Sequence, residues 1–252
     1  LKALLQGDLG LSYRTGQPVV TMIAQRVVPS LILTGTGVAA AILLGIPLGV
    51  MAAWKPKSGW GKLAGGLTLL SFSAPGFFLC VLAIFLFSVV LGWLPAAGMY
   101  SAGGGGSVGD LLLHLILPAG VVCLSSLGNL VRQTASACGE VLGEDYIRTA
   151  RAKGLPEWAV VWKHGFRTAL LPVVTTILNH IPHIIGGSLI VERIFGWPGM
   201  GSLLFTSVSS RDYTVIMGLT VVIALTVLAT GILMDLVYRL ADPGVGWGGE
   251  AR

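Results

Sequence analysis

Five long runs with almost no charge constrain this chain more than any other feature: Val27 to Trp54, Leu63 to about Gly92, Leu111 to Val131, Thr168 to Val191 and Tyr213 to Met234. Each is long enough to cross a bilayer, which takes about 20 apolar residues at helical rise. In lipid every backbone N–H and C=O must be paired within the protein. The runs also lack strand-like alternation, so helices are the predicted element. Charged residues make up only 11% of the chain and hydrophobic ones 54%, whereas a soluble domain is roughly 25% charged. The fold class predicted is an all-α, polytopic membrane bundle with five spans.

Charge placement orients that bundle. If the charged stretch between the third and fourth runs is cytoplasmic, Lys55, Lys57, Lys62, Arg132, Arg148, Arg151, Lys153, Lys163, Arg167, Arg239 and Arg252 fall inside. Lys2, Arg14, Arg26, Arg193 and Arg211 remain outside. This is the bias of the positive-inside rule. The net charge of +5 therefore reports topology and gives no reason to expect a nucleic-acid partner. The expected organisation is an external segment over 1–26, a transmembrane domain over 27–241 with a cytoplasmic loop at 138–167, and a cytoplasmic tail over 242–252. Cys80, Cys123 and Cys138 are odd in number and sit in or beside apolar runs, so they read as packing residues, not a disulfide framework. Gly103 to Gly106 with Ser107 reads as a flexible insert. No Lys-Ser or Lys-Thr follows it at the spacing of a phosphate-binding loop. Leu1 stands where Met would open a complete protein, so a longer parent chain is expected.

The stretch from Arg132 to Pro172 is a charged island in an apolar sequence. A helix is predicted over Glu140–Lys153, with Glu144 and Asp145 placed to pair with Arg148 and Arg151. Gly154 is placed to end it in a left-handed conformation, and Pro156 to open a second helix in its first turn. On that second helix Trp158, Val161, Trp162 and Phe166 would form one apolar stripe. A membrane-surface hairpin is the plainer reading. Glu140, Glu144, Asp145 and Glu157 argue against it, and favour docking to a soluble partner.

The run Tyr146-Ile147-Arg148-Thr149-Ala150-Arg151-Ala152-Lys153-Gly154-Leu155, followed by Lys163-His164-Gly165-Phe166-Arg167-Thr168-Ala169-Leu170-Leu171-Pro172, resembles the cytoplasmic coupling loop of ABC-importer permeases, in particular the dipeptide/oligopeptide/nickel branch. Gly7-Asp8-Leu9-Gly10-Leu11-Ser12-Tyr13, the segment Gly186 to Gly201, Arg211-Asp212-Tyr213 and Asp242-Pro243 resemble further stretches of that branch in the same order. Arg148-Thr149-Ala150 stands where importers in general carry Glu-Ala-Ala, and His164 where many carry Ile. Both departures are features of the peptide-type branch. The resemblance implies six spans in the intact protein, one of them upstream of this chain.

It also implies a non-catalytic permease of a prokaryotic inner membrane that imports di- or oligopeptides. Its partners would be a second permease, an extracytoplasmic binding protein and two ATPase subunits that carry ATP and magnesium; no cofactor is expected here. The implied ATPase-coupling residues are Asp145, Tyr146, Arg148, Thr149, Ala150, Arg151, Lys153, Gly154, Leu155, Trp158 and Trp162. Nickel or metal-chelate import is the alternative within the family. A secondary transporter is the alternative outside it, although that class is expected to show internal repeats.

Asn179, His180 and His183 lie inside an apolar run beside Pro182, where polar groups usually face a cavity or the bundle interior. His180 and His183 are also candidate metal ligands. Two ligands without a nearby Cys, Asp or Glu make a poor site, so pathway lining is the preferred reading. Glu192, Arg193, Phe195, Trp197, Pro198 and Gly199 are expected at the external gate. The plainer reading there is a salt-bridged turn with Trp197 in the interfacial aromatic belt. His114 reads as an ordinary interfacial residue, and Asp235 with Arg239 as a structural i,i+4 pair. Gly35 to Gly37 and Gly45 to Gly49 are small-residue faces that permit close helix contact.

Overall fold

The computed structural model describes residues 7–101 and 106–241. The expected tail 242–252 and most of the glycine insert lie outside them. Among the described residues there is no β-strand, only an isolated bridge between Leu11 and Pro18. The first helix, α1, spans Val19–Trp54. It starts ahead of Arg26, which interrupts the apolar run but not the helix.

The second apolar run is not one straight helix. α2 (Gly59–Ser73) and α3 (Gly76–Ala83, continued as a π-helix over Ile84–Val90) meet at 108°. Ala74 between them is extended, with φ −91° and ψ 123°, because the ring of Pro75 disfavours helical backbone in the residue before it. Two halves stand where the sequence predicts a single span.

α4 (Val108–Leu142) is 35 residues long, about 52 Å at helical rise. Ser107 caps it by accepting from the Asp110 N–H at 3.2 Å. His114 is buried, and its Nδ1 lies 3.3 Å from the Asp110 carboxylate. The contact ties His114 to the first turns of α4, near the start of the span.

α1 and α4 make the most extensive contact in the molecule. A Cβ at Gly37 would sit 2.6 Å from Val122 and one at Gly49 2.6 Å from Thr134, while Ala41 between them is fully buried. Small residues at four-residue spacing thus let the two backbones approach, as the sequence predicts.

Beyond α4 the chain forms α5 (Asp145–Ala152) and α6 (Glu157–Ala159, continued as a π-helix over Val160–Phe166). The next apolar run is broken into α7 (Arg167–Leu178), α8 (Ile181–Gly186) and α9 (Leu189–Ile194). Pro182 and the left-handed Gly187, with φ +75°, mark the breaks. α10 (Met200–Ser209) folds back, and α11 (Tyr213–Ala241) forms the last span. Four stretches (Val19–Trp54, Val108–Leu142, Glu157–Ile194 and Tyr213–Arg239) are long and apolar enough to cross a membrane, and the bent pair makes a fifth if counted as one span.

Two segments remote in sequence meet at the start of α11. The Ser12 hydroxyl donates to the Asp212 carboxylate, which also accepts from the Tyr13 N–H at 3.2 Å. Burial pushes the Asp212 carboxyl pKa up. Hydrogen bonds from Ser12 and the N–H groups of Tyr13, Val215 and Arg14 outweigh it and hold the pKa below the ordinary range.

Candidate functional site

The charged island folds into an elbow at one end of the bundle. Its first helix is not the single element predicted over Glu140–Lys153. α4 runs on to Leu142, Gly143 ends it, and Glu144 with φ −70° and ψ 150° starts α5 afresh. Gly154 then turns the chain with φ +77°, the left-handed geometry that only glycine adopts without a Cβ penalty. Pro156 precedes α6 as its cap residue instead of lying in its first turn.

Ile147, Ala150 and Val160 are buried together against Leu142 and fix the angle between the arms. Arg148 pairs with Asp145 at 3.3 Å, as expected, but Arg151 reaches across the bend to Glu157 at 2.9 Å.

The predicted apolar stripe on α6 does not form. The π-helix widens the turn, so Val161 is buried while Trp158 is 64% and Trp162 36% exposed. Trp162 instead meets Phe166 edge-on, with ring centroids 5.5 Å apart. Of the coupling residues named from the sequence, Asp145, Tyr146, Arg148, Thr149, Arg151, Lys153, Gly154, Leu155, Trp158 and Trp162 lie at the surface, and Ala150 is buried. The elbow presents Tyr146, Leu155 and Trp158 to its surroundings amid charged neighbours.

At the opposite end, Glu192 is fully buried. Ser30 of α1 donates to its Oε1 at 2.7 Å and accepts from the Met200 N–H at 2.7 Å. The Ser202 N–H donates to Oε2 at 2.9 Å, and the backbone N–H groups of Gly201 and Ser188 also reach the carboxylate. The first amides of α10 have no partner within their own helix. Gly199 precedes them without a capping side chain, so Glu192 caps α10 from α9. A Cβ at Gly187 or Gly199 would collide with this carboxylate, which explains the glycines around it.

Trp197 is also fully buried and donates from Nε1 to the Pro29 carbonyl at 2.8 Å. The expected aromatic-belt position and salt-bridged turn are therefore both incorrect. Arg193 lies over the Phe205 ring at 4.8 Å, while Glu192 is satisfied by hydroxyl and amide donors. Phe195 and Gly199 are buried and Pro198 is half-buried. The fold-back of α10 turns this segment inward, so most of it is packed within the bundle and offers little surface to a partner.

His180, which precedes α8 as its cap residue, and His183 within it line a cavity of about 300 Å³, while Asn179 and His183 line an adjoining one of about 510 Å³. Among the described residues no group of three His, Cys, Asp or Glu is placed to hold a metal ion.

Residues 45–247 match the family described as binding-protein-dependent transport system inner membrane component. The chain belongs to this family. It is 42% identical to the oligopeptide transport system permease protein AppB of Bacillus subtilis (strain 168) over 96% of this chain and 77% of that protein. It is 39% identical to the glutathione transport system permease protein GsiC of Pectobacterium atrosepticum over 97% of this chain and 77% of that one. A solved inward-facing structure of the MetNI methionine ABC transporter shares the fold. It has a TM-score of 0.63 at 17% identity, covering 86% of this chain and 96% of that one.

This permease uses residues that the sequence reading passed over. Ser30 and Ser202 complete the Glu192 node, and Ser126 with Asn129 line the cavity beside His180. The last two left a signal: polar residues spaced i,i+3 inside an apolar run share one helix face.

Proposed function

We propose that this permease imports peptides into the cytoplasm, driven by separate ATPase subunits that grip the elbow. The observation that carries the reading is the elbow surface. Tyr146, Leu155 and Trp158 are 44%, 39% and 64% exposed on a hairpin whose own angle is set by buried Ile147 and Val160. A rigid element with apolar side chains turned outward suits a partner's groove.

The charge bias puts the elbow on the cytoplasmic side. ATP and magnesium belong to two ATPase partners, a second permease completes the membrane unit, and a binding protein delivers cargo from outside. The peptide class is supported by the oligopeptide and glutathione names of AppB and GsiC. Metal-ion import draws no support from His180 and His183, which lack a third ligand among the described residues.

Gly154→Asp tests the coupling role in the assembled transporter. A Cβ there meets nothing within 4 Å, so the change adds charge and a left-handed strain of about 1–2 kcal/mol without a clash. The variant is expected to insert and melt much as the parent does, yet to lose ATPase stimulation and peptide uptake. Normal uptake by Gly154→Asp would overturn the coupling role. Transport by this chain purified alone would favour a secondary carrier.

A further inference from the structure

Most polar side chains at membrane depth satisfy themselves. Thr34, Ser125, Thr175 and Thr176 each donate to the carbonyl one turn earlier, at 2.5, 2.9, 3.0 and 3.0 Å. This is the ordinary fate of hydroxyls in helices. Ser126, Asn129 and His183 make no such bond to any described residue. His180 uses only Nδ1, 2.8 Å from the Thr176 carbonyl. A carbonyl can only accept, so in the neutral ring Nδ1 carries the proton and Nε2 is a free acceptor.

All four residues line the same cavity of about 300 Å³, where Val38, Val122 and Val191 supply apolar walls. His183 also borders the adjoining 510 Å³ space. Ser126, Asn129 and His180 are half-buried and His183 is exposed, so their unused donors and acceptors stay open to whatever fills the cavity. Three side chains without a bond and the free Nε2 of His180 converge on one cavity, which marks a place where water or cargo completes the hydrogen bonds.

Resting on the peptide reading above, we infer that Ser126, Asn129, His180 and His183 form a subsite for the main-chain amide and carboxylate groups of a peptide in transit. Hydroxyl, carboxamide and imidazole groups each both donate and accept, which matches the N–H and C=O groups of a peptide. None of them carries a fixed charge, so the subsite is indifferent to the cargo's side-chain charge. Below Asn129, Gln133 and Ser136 continue along the exposed face of α4 at helical spacing toward the elbow.

Cysteine substitution in the complete transporter tests this. Ser126→Cys, Asn129→Cys and His183→Cys are treated with a charged methanethiosulfonate, with and without dipeptide during ATP turnover. Cys80, Cys123 and Cys138 are buried, and the unsubstituted protein gives their background. Leu43→Cys, 74% exposed on the α1 face away from α4, is the control for a lipid-facing position. Labelling is expected at the three cavity positions and not at Leu43→Cys, with dipeptide slowing it about tenfold.

Unreactive cysteines, labelling indifferent to dipeptide, or protection by nickel ion alone would each overturn the subsite. Ser126→Cys exchanges a single atom and decides the matter if the larger changes prevent insertion. Failure of the unsubstituted transporter to take up dipeptide would remove the peptide reading and the subsite with it. Normal uptake with unprotected cysteines would remove the subsite alone.

Discussion

The Glu192 node and the elbow are both hairpins of short helices, yet they hold their shape by opposite means. At the node a carboxylate with no exposed surface is surrounded by a hydroxyl of α1, amides of α10 and the amide of Ser188 ahead of α9, and the glycines beside it leave no room for a side chain. At the elbow the charges pair in solvent, the glycine at the bend touches nothing, and the large apolar groups face outward. One region is complete within the chain. The other keeps its angle through a small buried cluster and leaves its surface for something else.

Substitutions should separate the two regions. Glu192→Ala strands several buried donors at once and should cost about 3 kcal/mol or more, read as a lower melting temperature in detergent. An unchanged melt would remove the node from the structural core. Gly49→Val presses α1 against Thr134 of α4 and should cost about 2 kcal/mol by overpacking, visible in the same melt. Trp158→Ala should leave the melt alone but lower cargo-stimulated ATPase about tenfold in the assembled transporter. If it shifts the melt instead, the elbow is a packing element like the node.

Acidification offers a gentler probe. The Asp212 pKa is depressed in the folded protein, so its contribution is present above the ordinary carboxyl pKa of about 3.9. It is lost as pH falls through the lower, folded value. The melting difference between the parent and Asp212→Asn should therefore close below about pH 4. Smallest of all, Arg151→Met removes an exposed ion pair worth at most about 1 kcal/mol. A larger loss would mean the Arg151–Glu157 contact sets the elbow angle.

What the sequence made legible follows from local chemistry. Apolar run length placed the spans, Gly154 announced a left-handed turn, and the small residues of α1 announced its close approach to α4. What it hid depended on neighbours distant in sequence. Pro75 carries a local bend signal, but its surroundings are as apolar as a straight helix. Trp197 and Glu192 look like interfacial residues until the fold-back of α10 brings Pro29, Ser30 and Ser202 to them. The stripe on α6 failed because a π-helical turn changes the spacing on which such a stripe is read. Ser126 and Asn129 were visible as polar residues in an apolar run, but their shared cavity with His180 and His183 depends on how α1, α4 and the broken stretch from His180 to Val191 are arranged around it.

Below Pro118, α4 runs to Leu142 without another proline or break, and the elbow begins directly after it. Asn129 therefore stands about 20 Å from the elbow on a single rod, with no joint between them to take up slack. If ATPases grip the elbow as proposed, a stroke there would reach the cavity whether or not cargo is there. On this reading an idle cycle would open the lane for nothing, so quiet in the absence of cargo has to be imposed on the motor and not on the path.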